Sequence, residues 1–154
     1  MASPLLNRVV FIFSVLGLVI AGYLWNMHSH PQDIPCGGSH GCADVANSPY
    51  SRFPVGWGPP VAMYGTLGYL ALAALSILRT LPSMLGRDRL LLGLSIFAAG
   101  FGTLFSLYLT YAEAFLIKNW CKWCVGSQFI ILIILVLTVV QWAQLYGRKA
   151  QSAA

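Results

Sequence analysis

The sequence predicts an all-α, polytopic membrane protein: four transmembrane helices bundled in a single domain over residues 1–154, with a long first outer loop containing a short interfacial helix. Three observations support this fold class. Of 154 residues, 58% are hydrophobic and only 8% charged, with a mean hydropathy of +0.73, whereas soluble domains carry about 25% charged residues. Four apolar runs each approach the ~20 residues needed to cross a hydrocarbon core. The few basic residues sit at the ends of those runs rather than on one face, as in proteins oriented by charge across a bilayer. The net charge of +5 therefore does not indicate a nucleic-acid partner.

The first run extends roughly from Val9 to Trp25. A signal peptide is the rival reading, with Arg8 as its basic flank. The run is long for such a segment, no A-x-A site follows it, and further spans lie downstream, so it is read as an uncleaved helix. The second run, roughly Pro60 to Leu81, is opened by Pro59-Pro60, and proline suits a first helical turn because its missing N–H has no intrahelical partner there. The third is roughly Leu90 to Phe115 and the fourth roughly Cys121 to Trp142. Small residues recur four apart, as in Gly17/Ala21, Ser95/Ala99 and Ala98/Gly102. They let helix backbones approach closely and are read as packing devices without a catalytic role.

Orientation follows from Lys and Arg in the short loops. Arg8, Arg79, Arg87, Arg89, Arg148 and Lys149 fall on one side, and Arg52, Lys118 and Lys122 on the other. The excess on the first side predicts that both termini are cytoplasmic. The loop 28–58 and the loop before Cys121 then face outward and hold all four cysteines, in the compartment where disulfides persist.

The cysteines form two close pairs. Cys121 and Cys124 stand three residues apart at a helix start, on one face within a turn, a spacing that suits a reversible disulfide. A soluble redox domain would set such a pair near a βαβ pattern; here an apolar run follows. Cys36 and Cys42 bracket Gly37, Gly38, Ser39, His40 and Gly41, whose glycines predict a flexible hinge. Thiol–disulfide exchange proceeds by thiolate attack through a mixed disulfide. Two pairs on one side of a membrane can therefore relay electrons, from an outside thiol to the loop pair and on to the helix pair. The helix N-terminus favours a thiolate by ~0.3–1 kcal/mol, and Lys118 and Lys122 add positive charge nearby, in keeping with the lowered pKa values of thiols so placed.

A relay needs a terminal acceptor. The chain has no dinucleotide fingerprint and no paired transmembrane histidines for haem, because His28, His30 and His40 all lie in the outer loop. A bilayer quinone, ubiquinone or menaquinone, fits what is left. Ser127 and Gln128 lie one turn deeper than Cys124 and are the expected hydrogen-bond partners of its oxygen; Gln128 reads equally well as a polar residue bonding another helix. In the aromatic, proline-rich segment from Tyr50 to Trp57, Phe53 and Trp57 either roof a pocket between the helices or form an interfacial belt.

Cys36, His40 and Cys42, with His28 and His30 near them, are soft ligands of the kind zinc or copper takes. The tight spacing of structural zinc sites is missing, and no metal is expected. A metal-handling protein using this loop is the alternative from a different class, and a structural tetraspan with stapled loops is a third. Isolated His28 and His30 are read as solvated. Glu113, at the outer end of the third run, is either a proton carrier or a solvated anchor, with the anchor preferred.

Taken together, the layout resembles the bacterial form of the vitamin K epoxide reductase family. The resemblance rests on four spans, a first outer loop carrying Cys36-x5-Cys42, and Cys121-x-x-Cys124 opening the fourth span. It extends to the stretch from Cys42 to Ser51, to Gly58-Pro59-Pro60-Val61-Ala62, and to Gly65-Thr66-Leu67-Gly68-Tyr69. It implies a quinone-linked thiol oxidoreductase of a bacterial inner membrane, with the cysteines facing the periplasm, that supports disulfide bond formation. Cys36 would exchange with a thioredoxin-like partner similar to disulfide bond protein A, Cys42 would attack Cys121, and Cys124 would be the quinone-proximal thiol. It also implies that Ser48 belongs to a loop helix roofing the quinone. Animal members carry tyrosine where Gln128 stands, so an epoxide reductase in the strict sense is the alternative activity. Many bacterial members continue into a fused thioredoxin-like domain, whereas this chain ends at Ala154, which implies a separate partner. The disulfide bond protein B family has the inverse cysteine arrangement.

Overall fold

All four apolar runs fold into helices long and apolar enough to cross a membrane. The structure, a computed structural model, describes residues 4–37 and 40–152, and no strand occurs among them. Helix α1 spans Pro4–Met27, the short α2 Gly41–Asn47, α3 Val61–Leu78, α4 Asp88–Tyr111 and α5 Lys122–Ser152.

The helix ends depart from the sequence expectation where polar residues find partners inside the bundle. Helix α1 begins at Pro4 rather than near Val9, and its added turn carries Asn7, whose amide donates to the Ser76 carbonyl at 2.9 Å. Helix α5 continues past Trp142 to Ser152, and Gln141, fully buried in it, accepts from Arg79. Helix α4 does not simply stop near Phe115. It widens into a π-helical segment, Ala112–Ile117, that ends at Lys118 in the left-handed conformation with φ 57°.

Side-chain character sorts the surfaces. Val10, Ala21, Tyr69, Leu72, Ala99, Ile130, Ile131 and Ile134 form the main buried cluster, drawn from all four long helices. Facing outward are Ile12, Val19, Phe97, Leu104, Phe129 and Val136, each more than half exposed. Such a belt is a liability in water, and lipid is the solvent that accepts it. The chain is an integral membrane protein.

A polar network closes the end of the bundle away from the cysteines. The Arg79 guanidinium donates to Asp88 at 2.8 Å, to the Asn7 side-chain oxygen at 3.0 Å and to Gln141 at 2.5 Å. This joins α1, the end of α3, α4 and α5 around one buried charge. Arg79, counted from sequence among the loop charges, is therefore a buried structural residue. The side chains of Arg148 and Lys149 lie outside the described residues.

At the opposite end, two turns of 3-10 helix, Pro31–Asp33 and Pro49–Ser51, flank α2. Proline opens each, supplying the fixed φ such a turn needs. The expected glycine hinge falls partly on Gly38 and Ser39, outside the described residues.

Candidate functional site

The four cysteines meet at one end of the bundle. Cys36 and Cys42 are joined in a disulfide with a Cα–Cα distance of 5.8 Å, and Cys121 and Cys124 are free thiols. Cys36, Cys42, Cys121 and Ile34 form one buried cluster, with Cys124, Trp123 and Val45 packed against it. Two contacts hold the loop there: the Trp123 indole N–H donates to the Pro35 carbonyl at 3.0 Å, and Asn119 donates to Asp44 at 3.0 Å.

Cys121 lies one residue before α5 and caps it, rather than forming its first turn. Its carbonyl accepts from Val125 N–H at 3.0 Å, and its Sγ accepts the N–H of Cys124 at 3.3 Å, the position that serine or aspartate oxygens take in ordinary helix caps. The Cys124 thiol also donates to Cys121 Sγ, with the sulfurs 2.7 Å apart. Chiefly because of that S–H donor, and further because of backbone donors, the Cys121 thiol lies below the usual thiol range; burial opposes the effect without cancelling it. Hydrogen bonding to the charged form lowers a pKa in this way. The expected sources were the helix N-terminus and the charges of Lys118 and Lys122; the backbone donors act as expected, both lysines are exposed, and the partner thiol is the first cause. The two cysteines are inequivalent: Cys121 is 2% exposed and bordered by the loop, whereas Cys124 sits one turn along the helix.

Below the cysteines lies a cavity of about 470 Å³ between α3 and α4, with α2 above it and α5 behind. Its walls are mostly apolar, and Cys42, Cys121 and Cys124 all border it. Its volume falls in the range of small-molecule sites, ~300–1,000 Å³. The polar groups are few. Tyr69 Oη donates to the Ser127 carbonyl at 2.7 Å and lies 2.9 Å from Ser127 Oγ. Glu113, 3% exposed, accepts the Cys121 N–H at 3.2 Å.

The expected site residues separate into two groups. Ser48 and Ser127 border the cavity. Gln128 is absent from its lining, and its side-chain oxygen accepts from Thr110 on α4, so Gln128 holds two helices together. Trp57 is 80% exposed and also outside the lining. Phe53 stands edge-on to Phe105, a wall residue, at 5.6 Å and so touches the cavity only indirectly. The proline-rich turn leaves both aromatics exposed.

Three residues were missed or misjudged from sequence. Glu113 is a buried neighbour of both thiols rather than a solvated anchor, because the π-helical segment turns it inward. The available signal was a lone carboxylate in an apolar run eight residues before Cys121. Tyr69 stands in the sequence only as part of a motif, yet its hydroxyl and that of Tyr64 are polar groups of the α3 wall. His28 is half-buried and borders the cavity, and burial first and Arg52 second hold its imidazole below the usual range. Among the described residues no three His, Cys, Asp or Glu side chains gather as a metal site requires.

Comparison with curated proteins finds no match. The family model described as the vitamin K epoxide reductase family matches residues 8–139, which include all four cysteines, the second and third spans whole and most of the first and fourth. The chain belongs to the vitamin K epoxide reductase family.

Proposed function

We propose that this membrane oxidoreductase takes electrons from an extracytoplasmic thioredoxin-like dithiol, passes them from Cys36/Cys42 to Cys121/Cys124, and reduces a quinone in the cavity. The observation that carries this reading is that a disulfide and a dithiol border one apolar cavity, with Cys42, Cys121 and Cys124 all in its wall. Oxidised loop and reduced helix pair is the combination the relay leaves once electrons have moved inward.

The partner's thiolate attacks Cys36 and displaces Cys42 as a thiolate. Cys42 attacks Cys121 of an oxidised Cys121–Cys124 pair, and Cys124 leaves as a thiolate. The partner's second thiol then releases Cys36, which resolves the Cys42–Cys121 bond. The net result is an oxidised partner, an oxidised loop pair and a reduced helix pair. That pair delivers two electrons and two protons to the quinone, which becomes a quinol, and Cys121–Cys124 closes again. Their sulfurs, 2.7 Å apart, need to move together by roughly 0.7 Å to reach the disulfide length.

The cavity suits a quinone ring and the start of its tail: apolar walls, with the Tyr69–Ser127 pair available to an oxygen on the α5 side. Dithiol proteins of this kind sit at about −270 to −120 mV, low enough to reduce a quinone. The deciding experiment is anaerobic reduction of ubiquinone and of menaquinone by the purified protein with a reduced thioredoxin-like donor. Wild type should turn over, Cys124→Ala should not, and a Cys42–Cys121 disulfide should accumulate in Cys124→Ala or Cys36→Ala. Normal quinone reduction by Cys124→Ala would sink the mechanism.

A further inference from the structure

We propose, resting on the relay above, that Glu113 is a catalytic proton carrier, which takes the thiol proton of Cys124 and delivers it to the quinone oxygen. Oxidation of the Cys121/Cys124 dithiol releases two protons into a region with little access to water, and the quinone must receive two. A group that moves between them has to be buried, ionisable, in contact with a cysteine of the pair and open to the cavity.

Glu113 meets each condition. It is the only glutamate in the chain, is 3% exposed and lines the cavity. Its carboxylate accepts the Cys121 N–H at 3.2 Å, and the Cys124 side chain borders the same cavity. The Cys124 thiol donates to Cys121 Sγ, and Glu113 is the carboxylate in the wall of the cavity that both thiols border. Among the described residues the ion pair found is Arg79–Asp88, at the other end of the bundle, so no cation holds Glu113 permanently ionised. The titratable groups that share the cavity with it are the two thiols on the α5 side, the Tyr64 and Tyr69 hydroxyls on α3, Tyr50 after α2, and His28 just beyond α1. Asp44 on α2 is exposed and bonded to Asn119, and Lys118 and Lys122 are exposed.

Local structure supports an active role. A π-helical turn costs hydrogen-bond geometry and is frequent at functional sites. Here Ala112–Ile117 takes that form, and the turn carries Glu113 to the N-terminus of α5. In each turnover the Glu113 carboxylate receives the Cys124 proton as that sulfur bonds to Cys121, and gives it up as the quinone accepts electrons. The second proton comes from Cys121. Glu113 ends as it began, and atoms and charges balance.

Glu113→Gln separates this role from a structural one, because a glutamine oxygen still accepts the Cys121 N–H but carries no proton. The assay uses full-length protein in lipid vesicles, dithiothreitol as donor, and short-chain ubiquinone and menaquinone as probes. The expected result is a kcat lower by about a hundredfold or more, with quinone KM within about twofold and thermal stability unchanged. A wild-type kcat in E113Q, or a rise in KM alone, overturns the proposal and leaves the relay standing; failure of wild type to reduce either quinone overturns both. Should E113Q not fold, redox-difference infrared spectra of wild type carrying isotope-labelled glutamate decide the matter, since the label falls on Glu113 alone. A carboxyl band that changes between dithiol and disulfide states supports the carrier, and a silent band overturns it.

Discussion

Gly41 lies so close to the Trp120 carbonyl that a Cβ on it would stand 2.6 Å from that oxygen. This contact seats the start of α2 on the connection that leads into Cys121, and Cys42 is the next residue along. Backbone packs on backbone here, and neither side can yield as a flexible side chain could.

Gly41→Ala should therefore lift α2 and separate Cys42 from Cys121 while leaving the Cys36–Cys42 disulfide able to form. Displacements near 1 Å at a reacting centre cost about a hundredfold in rate. Trapping of the Cys42–Cys121 mixed disulfide in a Cys124→Ala background should fall by that order. Equal trapping with and without the added methyl group would show that the contact does not set the transfer distance.

The Cys121 thiol should lose acidity when its thiol donor is removed. The Cys124 S–H is the first cause of its lowered pKa, so Cys124→Ala should move that pKa upward. The thiolate fraction at a given pH then falls, and the pH at which Cys121 reacts with a small alkylating agent should rise. Comparison requires Cys36 and Cys42 to remain oxidised in both proteins. An unchanged profile would assign the acidity to the helix terminus alone.

At the far end of the bundle, Asp88→Ala should destabilise the fold without altering the redox centre. Arg79 is nearly inaccessible, and among the described residues Asp88 is its carboxylate partner. Breaking a buried pair by removing one member costs about 3–5 kcal/mol, because the remaining charge stays buried. Thermal unfolding in detergent should occur at a clearly lower temperature, while kcat of the folded fraction at low temperature stays at the wild-type level. Loss of activity in step with no loss of stability would contradict this division.

Tyr69→Phe tests the polar wall of the cavity. It removes the hydroxyl that meets Ser127 and leaves the ring packed. A lost hydrogen bond of this kind amounts to about 1 kcal/mol, so quinone reduction should weaken by about fivefold in kcat/KM. Gly17→Ala should have a larger effect through the same residue. A Cβ there would fall 2.3 Å from the Tyr69 ring, and the ring would have to leave its place. If Tyr69→Phe reduces quinone at the wild-type rate, the hydroxyl is a packing bond only.

The sequence by itself determined the solvent, the fold class and the family. Apolar runs of membrane length, basic residues at their ends and two close cysteine pairs are one-dimensional patterns, and each follows from a local rule of burial, charge or bond reach. Tertiary structure decided which polar residues face the chemistry. Gln128 and Ser127 are neighbours in sequence, yet Thr110 claims Gln128 while Ser127 borders the cavity. Glu113 reads as an end-of-helix anchor until the π-helical turn rotates it beneath Cys121. Periodicity places a residue on a helix face only if the helix is regular and its neighbours are known. Where α4 widens and α2 folds back over the bundle, those conditions fail, and contacts between segments far apart in sequence set the site.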